Sequence, residues 1–432
     1  MEVLSSPKKA GPFFLGFWDV MHIRSIRVRG FRNIEDSEIS PDPGLNFLVG
    51  ANGQGKTSFI EAIGYLALLR SFRGGKSDEV LRQGALWGDV QAQVIPESID
   101  STIQLAVRFE RGSEGRTRKL ASVNGKSFRS SAQYLAQRFG EIEVGFHSIV
   151  FNPADHDLIR GEPAGRRAFI DRALAAERFS YLEAVHQYQR LLEQRNALLK
   201  QYQGNPPSHL LEGFTQPMGK AAAVLTYGRL EWLQKLQVLL PRYAAEISPS
   251  DPDLRIEYQS SWLSEKDAIL PVMSRDSAGQ HPLPSLELLE RAFWHRIQSS
   301  KPLEQRSWVT SVGPHRDDWG LSLRGIPLKG FGSQGEVRSG LLALKLSEIE
   351  LFRSATGHRP LLLLDDFSSE LDSKRRRYLL EYLQRTDLQI FVTTTDDGVS
   401  AGRRFWVSEG KLSERHEHND QHDHGEHGVL GR

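Results

Sequence analysis

Gly50-Ala-Asn-Gly-Gln-Gly-Lys56-Thr57 fits the pattern G-x-x-x-x-G-K-[ST], and it lies between an apolar run and a helical run. Glycines let the backbone turn tightly, so that successive N–H groups point at a β-phosphate. The following helix adds its positive N-terminal end. In such a loop Gly50, Ala51, Asn52, Gly53, Gln54 and Gly55 supply the cradle, Lys56 reaches the β/γ oxygens, and Thr57 ligates Mg²⁺. The flanks agree: Leu45-Asn-Phe-Leu-Val49 is a compact apolar strand ending at Gly50. Ile60, Ile63, Leu66 and Leu69 then recur at helical spacing. The expectation is a nucleotide-binding strand–loop–helix within an α/β fold.

The 432 residues suffice for two or three domains, and a hydrophobic share of 39% allows each a core. With 55 basic and 54 acidic residues the net charge is +1, so binding to nucleic acid has to come from local patches. The chain has no cysteine, which excludes disulfides, thiolate zinc sites and a cysteine nucleophile. No apolar run approaches the length that crosses a bilayer. The N-terminal Pro12-Phe-Phe-Leu-Gly-Phe-Trp18 is short, contains proline and lacks a small-residue cleavage site, so it does not read as a secretory signal. A cytoplasmic protein is expected.

Residues 1–20 read as an N-terminal extension or a mis-assigned start, because Met21 opens a strand pattern through Ile23, Ile26 and Val28. Residues 21–155 alternate short strands with turn signals, including an Asn124-Gly125 hairpin. From 156 to 304 the period becomes helical, with a stripe from Tyr181 to Leu199 and a second helix over 221–240 that Pro241 ends or kinks. A strand at Leu254–Tyr258 interrupts it. Residues 305–412 return to α/β, and 413–432 form a polar tail with five histidines, read as disordered.

Leu361-Leu-Leu-Leu364-Asp365-Asp366 has the form of a buried parallel strand that presents carboxylates at its C-terminal end. In this Walker B reading Asp365 holds Mg²⁺ together with Thr57, and Asp366 orients or deprotonates the attacking water. With Lys56 it forms the catalytic pair. Upstream, Phe331-Gly-Ser333-Gln-Gly335-Glu336 opens a helix as an anion site, and Ser368-Ser-Glu-Leu-Asp372 follows the acids. Phosphate loop, long insertion, Ser-Gln-Gly loop, Walker B: this order is similar to that of ABC-type P-loop ATPase heads with a helical insertion domain.

More specifically the chain resembles the RecF family of bacterial recombination mediators, which are related to the heads of chromosome-maintenance ATPases. The matching stretches are Phe31-Arg-Asn33, Gly50–Thr57, Ser71-Phe-Arg73, Phe151-Asn-Pro153 with Gly161-Glu-Pro163 and Arg166-Arg167, Gln194-Arg-Asn196, Gly313-Pro-His-Arg-Asp-Asp318, Gly332–Arg338 and Leu363–Asp372. The resemblance implies a head that dimerises around two ATP molecules and binds duplex DNA near single-strand gaps. It also implies cooperation with RecR and RecO in loading RecA, with slow hydrolysis as reset. Carried over, Ser333 and Gly335 contact the γ-phosphate of the opposite subunit, Asp372 lies in the dimer-spanning loop, and Arg73 reaches phosphate. Two positions depart from pattern. Glu336 replaces a frequent Gln, and Thr393-Thr-Thr395 stands where transporter ATPases keep a His, which leaves it a γ-phosphate contact at most. Candidate DNA-contacting clusters are Lys374–Arg377, Arg116 with Arg118 and Lys119, and Arg166-Arg167. Competing readings are a transporter-coupling subunit, a chromosome-structural head, for which the insertion lacks long heptads, and a P-loop kinase, which leaves the Ser333 loop without a role.

Overall fold

The computed structural model describes residues 19–74, 79–96, 101–112, 116–128, 133–134, 146–248, 253–263, 283–366, 372–396 and 402–414. The N-terminal extension up to residue 18, the stretch 367–371 after the Walker B acids, and the tail from 415 onward, with all five of its histidines, lie outside them. The strands are β1 Asp19–Phe31, β2 Ile34–Ile39, β3 Leu45–Val49, β4 Trp87–Pro96, β5 Ile103–Arg111, β6 Thr117–Val123, β7 Lys126–Phe128, β8 Ser148–Phe151, β9 Leu254–Gln259, β10 Asp318–Leu323, β11 Ile326–Pro327, β12 His358–Arg359, β13 Leu361–Leu364, β14 Ile390–Thr394, β15 Arg403–Ser408 and β16 Lys411–Ser413. The principal helices are α1 Lys56–Leu68, α2 Pro163–Glu177, α3 Phe179–Gln201, α4 Ser208–Ile247, α5 Leu286–Ser299, α6 Gln334–Thr356 and α7 Ser373–Arg385.

A largely parallel sheet in the order β16-β15-β3-β14-β13-β8 forms the centre, with β16 as the antiparallel edge. Strands β3, β14, β13 and β8 are buried almost throughout, and the tetra-Leu strand shows how. Leu361 and Leu363 join the core shared with α1 and the antiparallel sheet, while Leu362 and Leu364 join the core beneath the helices. An unbroken apolar run is what two-sided burial requires, and alternation would have left one face polar. The antiparallel sheet runs β1-β4-β5-β6-β7, with β2 added to β1 and the short β12 pairing parallel to β1 at its edge. As expected, Asn124-Gly125 makes the β6–β7 turn with both residues at positive φ.

Helices α2 to α6 pack on the opposite face of the central sheet around Phe169, Leu174, Tyr188, Leu233, Leu236 and Phe293. Here α4 departs from expectation: it runs unbroken for 40 residues and contains Pro217 and Pro241. Pro241 neither ends it nor opens its last turn to solvent, because Tyr243, Ala244 and Ile247 beyond it are buried. Their packing offsets the missing backbone donor. A third sheet, β11-β10-β9, crosses the expected division at 304/305, since β9 in the insertion pairs residue by residue with β10 beyond it. No described helix is long and apolar enough to cross a membrane.

Candidate nucleotide-binding site

Parallel strands β3, β13 and β14 end side by side, so the segments that follow them share one rim of the sheet. The loop after β3 turns with Gly53 at φ 80° and Gly55 at φ 115°. Gly50 is confined too, since a Cβ there would meet the Val407 carbonyl oxygen at 2.4 Å. Lys56 folds back, and its ammonium donates to the carbonyls of Gly50 at 2.7 Å and Ala51 at 2.8 Å. Burial lowers its pKa, opposed by the negative charges of Asp366 and Asp365. An ammonium held by neutral carbonyls in a half-buried loop is poised to exchange them for phosphate oxygens.

From β13 the carboxylate of Asp365 meets this loop. The Thr57 hydroxyl donates to its Oδ1 at 2.8 Å, and the Thr393 hydroxyl, from β14, donates to the same oxygen at 3.1 Å. Burial pushes the Asp365 carboxyl above the ordinary range, while these two hydroxyls pull it back. Hard oxygens of Thr57 and Asp365 brought together at the N-terminus of α1 suit a Mg²⁺ ion with its remaining positions on water and phosphate. Asp366 is held beside them: its N–H donates to Thr393 Oγ1 at 2.7 Å, and its φ of 45° lies in the left-handed region. Strain of that kind in a non-glycine residue persists where surrounding structure imposes it, and it clusters at functional sites. The hydroxyl of Thr393, which the sequence offered to a γ-phosphate, is engaged in this structure by both acids.

Arg73 is brought to the flank of α1. Its guanidinium is 3.5 Å from the fully buried Glu61 carboxylate, which Arg32 also grips through bonds of 3.1 and 2.7 Å. Glu61 lies one turn beyond Thr57 on the same helix face. The positive charge of Arg73 also pulls the Asp365 carboxyl down. Arg73 is therefore within electrostatic reach of the acids, although its contact in this structure is to Glu61.

Among the described residues, no hydrogen bond joins Ser333 or Gly335 to this rim. Ser333 caps α6: its Oγ accepts from Glu336 N at 3.2 Å, and the Glu336 carboxylate accepts from Ser333 N at 2.8 Å. Glu336, the departure from pattern, thus completes a reciprocal capping box and pairs with Arg324 at 2.9 Å. Arg160 donates to the Gly332 carbonyl at 2.9 Å. A Cβ on Gly335 would stand 3.3 Å from the Arg375 guanidinium, which bonds Ser339 Oγ at 2.7 Å and pairs with Asp372, the cap of α7. Arg375 therefore links the Ser333 loop to Asp372.

The stretch Gly313–Asp318 is a packing junction. Asp317 is fully buried and accepts from Tyr258 Oη at 2.6 Å, Ser261 N at 2.7 Å, Ser261 Oγ at 2.8 Å and Trp262 Nε1 at 3.2 Å. Asp318 takes both ends of the Arg166 fork at 2.7 and 2.8 Å. Arg195, from the Gln194-Arg-Asn196 stretch, is buried against Glu304 and Thr310, and Asn196 receives the Thr310 N–H at 2.7 Å. These contacts tie Arg166, Arg195 and Asn196 to residues 304–318.

The basic clusters divide accordingly. Arg166 is buried against Asp318, Arg375 is half-buried and tied to Ser339 and Asp372, and Lys119, though exposed, donates to the Leu69 carbonyl at 2.7 Å beside the Tyr65 ring. Lys374, Arg376, Arg377, Arg116 and Arg118 are exposed. Sequence reasoning missed the β15–β16 turn, Glu409-Gly410, which abuts the phosphate loop. Its signal was an Xaa-Gly pair between Trp406-Val407 and Leu412.

The sequence model of the RecF/RecN/SMC N-terminal domain family matches residues 22–404. The chain is similar to the DNA replication and repair proteins RecF of Geotalea uraniireducens, at 32% identity over 398 residues, and Geobacter sulfurreducens, at 34% over 399. Each match covers 91% of this chain and 100% of the relative. Among solved structures, the recombination mediator RecF with ATP in the RecFOR pathway superposes with a TM-score of 0.79 at 28% identity, covering 94% of this chain and 100% of that one. An Smc head domain from Pyrococcus furiosus, at 14% identity and a TM-score of 0.50, shares the fold. On the family match, the full-length relatives and the shared architecture together, this chain belongs to the RecF family of DNA replication and repair proteins.

Proposed function

We propose that the protein is an ATP-switched, DNA-binding recombination mediator whose two copies close on two nucleotides. The observation that carries this reading is the division of the site. Thr57 and Asp365 meet at 2.8 Å on one rim, while the Ser333 loop, backed by Arg375 and Asp372, has no bond among the described residues to Lys56, Thr57 or Asp365. A helix N-terminus with a Ser hydroxyl and a bare Gly is built for an anion, and a second molecule's γ-phosphate supplies one. A relative of this architecture is solved with ATP.

In this reading residues 50–55 and Lys56 hold the β- and γ-phosphates, and Thr57 and Asp365 hold Mg²⁺, which neutralises developing charge on them. Asp366, in its constrained backbone, orients the attacking water. Arg73 turns from Glu61 toward phosphate. Ser333 and Gly335 close over the γ-phosphate from the opposite subunit, and slow hydrolysis releases the pair. The bound dimer holds duplex DNA at single-strand gaps through exposed Lys374, Arg376, Arg377, Arg116 and Arg118, and works in the cytoplasm with RecR and RecO to load RecA.

Sedimentation with and without ATP tests the scheme. Wild type and Asp366→Asn should form ATP-dependent dimers, with the second trapped, whereas Lys56→Ala and Ser333→Arg should remain monomeric. An ATP-indifferent monomer for every variant would sink it.

A further inference from the structure

The phosphate loop is braced from outside along its length. Beyond the Lys56 bonds to Gly50 and Ala51, the Gly53 carbonyl accepts from Asn33 Nδ2 at 3.3 Å, and the Gln54 carbonyl accepts from Gly410 N at 2.8 Å. The Gln54 side chain joins in, its Oε1 accepting from Glu409 N at 2.7 Å. In a planar trans peptide the carbonyl and the following N–H point in opposite directions. The bond from Gly410 to the Gln54 carbonyl therefore turns the Gly55 N–H away from the β15–β16 hairpin and toward the phosphate side. The Asn33 bond does the same for the N–H of Gln54.

The hairpin turn is itself fixed. Glu409 and Gly410 both have positive φ, at 49° and 74°, and a Cβ on Gly410 would lie 2.3 Å from the Asn33 carbonyl oxygen. Ser37 Oγ donates to the Gly410 carbonyl at 3.1 Å and accepts from Leu412 N at 3.3 Å. Gly55, for its part, approaches Gly410 Cα so closely that a Cβ would sit 3.2 Å away. Two chain segments 355 residues apart thus form one rigid unit at the loop.

We propose that the Glu409-Gly410 turn and the Gln54 side chain are positioning elements of the nucleotide site, which hold the Gln54-Gly55 stretch of the loop with its N–H groups aimed at the β-phosphate. The role so assigned rests on the reading of residues 50–57 as an ATP site. Unlike the phosphate contacts themselves, it belongs to the C-terminal hairpin, which closes on the loop only in the folded chain.

ADP titrated calorimetrically into the full chain tests it. Gln54→Met keeps the side-chain length and removes the amide oxygen, and Gly410→Ala forces the turn away from Asn33. Losing one such bond weakens ADP binding about 3- to 10-fold, with the larger loss for Gly410→Ala. In turnover the loss falls on KM rather than kcat. A turn that serves stability alone would lower the melting temperature and leave ADP affinity unchanged; that result in folded variants would overturn the inference. Where Gly410→Ala does not fold, Gln54→Met decides by the same criterion. Wild-type protein that fails to bind ADP would instead overturn the nucleotide-site reading itself.

Discussion

Asp365 and Asp366 are adjacent in the chain and opposed in circumstance. Asp365 is buried, and its carboxyl is pushed above the ordinary range by that burial, so its charge costs the nucleotide-free protein stability. Asp365→Asn should therefore raise the thermal stability of the free protein, by about 1 kcal/mol, while it abolishes Mg²⁺-dependent hydrolysis; a lower melting temperature would contradict this account. Asp366→Asn should leave nucleotide affinity nearly intact and slow single-turnover phosphate release about 100-fold or more, in line with loss of a general base. Glu177 offers a pH test away from the site. Burial raises its carboxyl to about 7 from 4.5, although it accepts from Trp232 Nε1 at 2.9 Å. Between those values the folded chain keeps a proton that the unfolded chain has released, so this contribution to stability is lost as pH rises toward 7 and is flat above it. Glu177→Gln keeps the acceptor and stays neutral. Urea melts should show it more stable than wild type by about 1 kcal/mol at pH 8, with the gap closing near pH 4.

At the scale of elements, the buried ion pairs between segments distant in the chain are the sensitive points. Arg195 and Glu304 are each 2% exposed at the side chain, and Thr215 and Thr310 also bond the guanidinium. Arg195→Leu would leave Glu304 charged and unpaired, at a cost of about 3–5 kcal/mol, measurable by denaturant unfolding. Most elements were legible in the sequence. The β3–loop–α1 unit, the tetra-Leu strand and the Asn-Gly hairpin declared themselves through periodicity and turn chemistry, which are local. The 40-residue α4 was not legible, because Pro241 is a local signal to stop and the packing that overrides it comes from distant parts of the chain.

For the whole molecule, the near-neutral net charge means that the proposed DNA binding has to rest on exposed arginines and lysines in local patches. Affinity for duplex DNA should fall steeply between low and moderate salt, by roughly 10-fold or more if a few phosphates are contacted. Charge reversal at Arg376 and Arg377 should flatten that dependence, whereas Arg166→Ala should destabilise the fold without a specific effect on the salt slope. A salt-independent affinity would contradict phosphate contacts altogether.

The sequence by itself determined the nucleotide-binding loop, the acidic strand end, the Ser333 loop and their order along the chain, because each is a short pattern whose chemistry is carried by neighbouring residues. Only the tertiary structure decided which of those residues meet. It joined Thr57 to Asp365, engaged Thr393 with the acids, paired Arg73 with Glu61, buried Arg166 against Asp318, and set Glu409-Gly410 against Gln54. These contacts link segments far apart in the chain, and their geometry follows from strand order and two-sided burial, which no local pattern encodes.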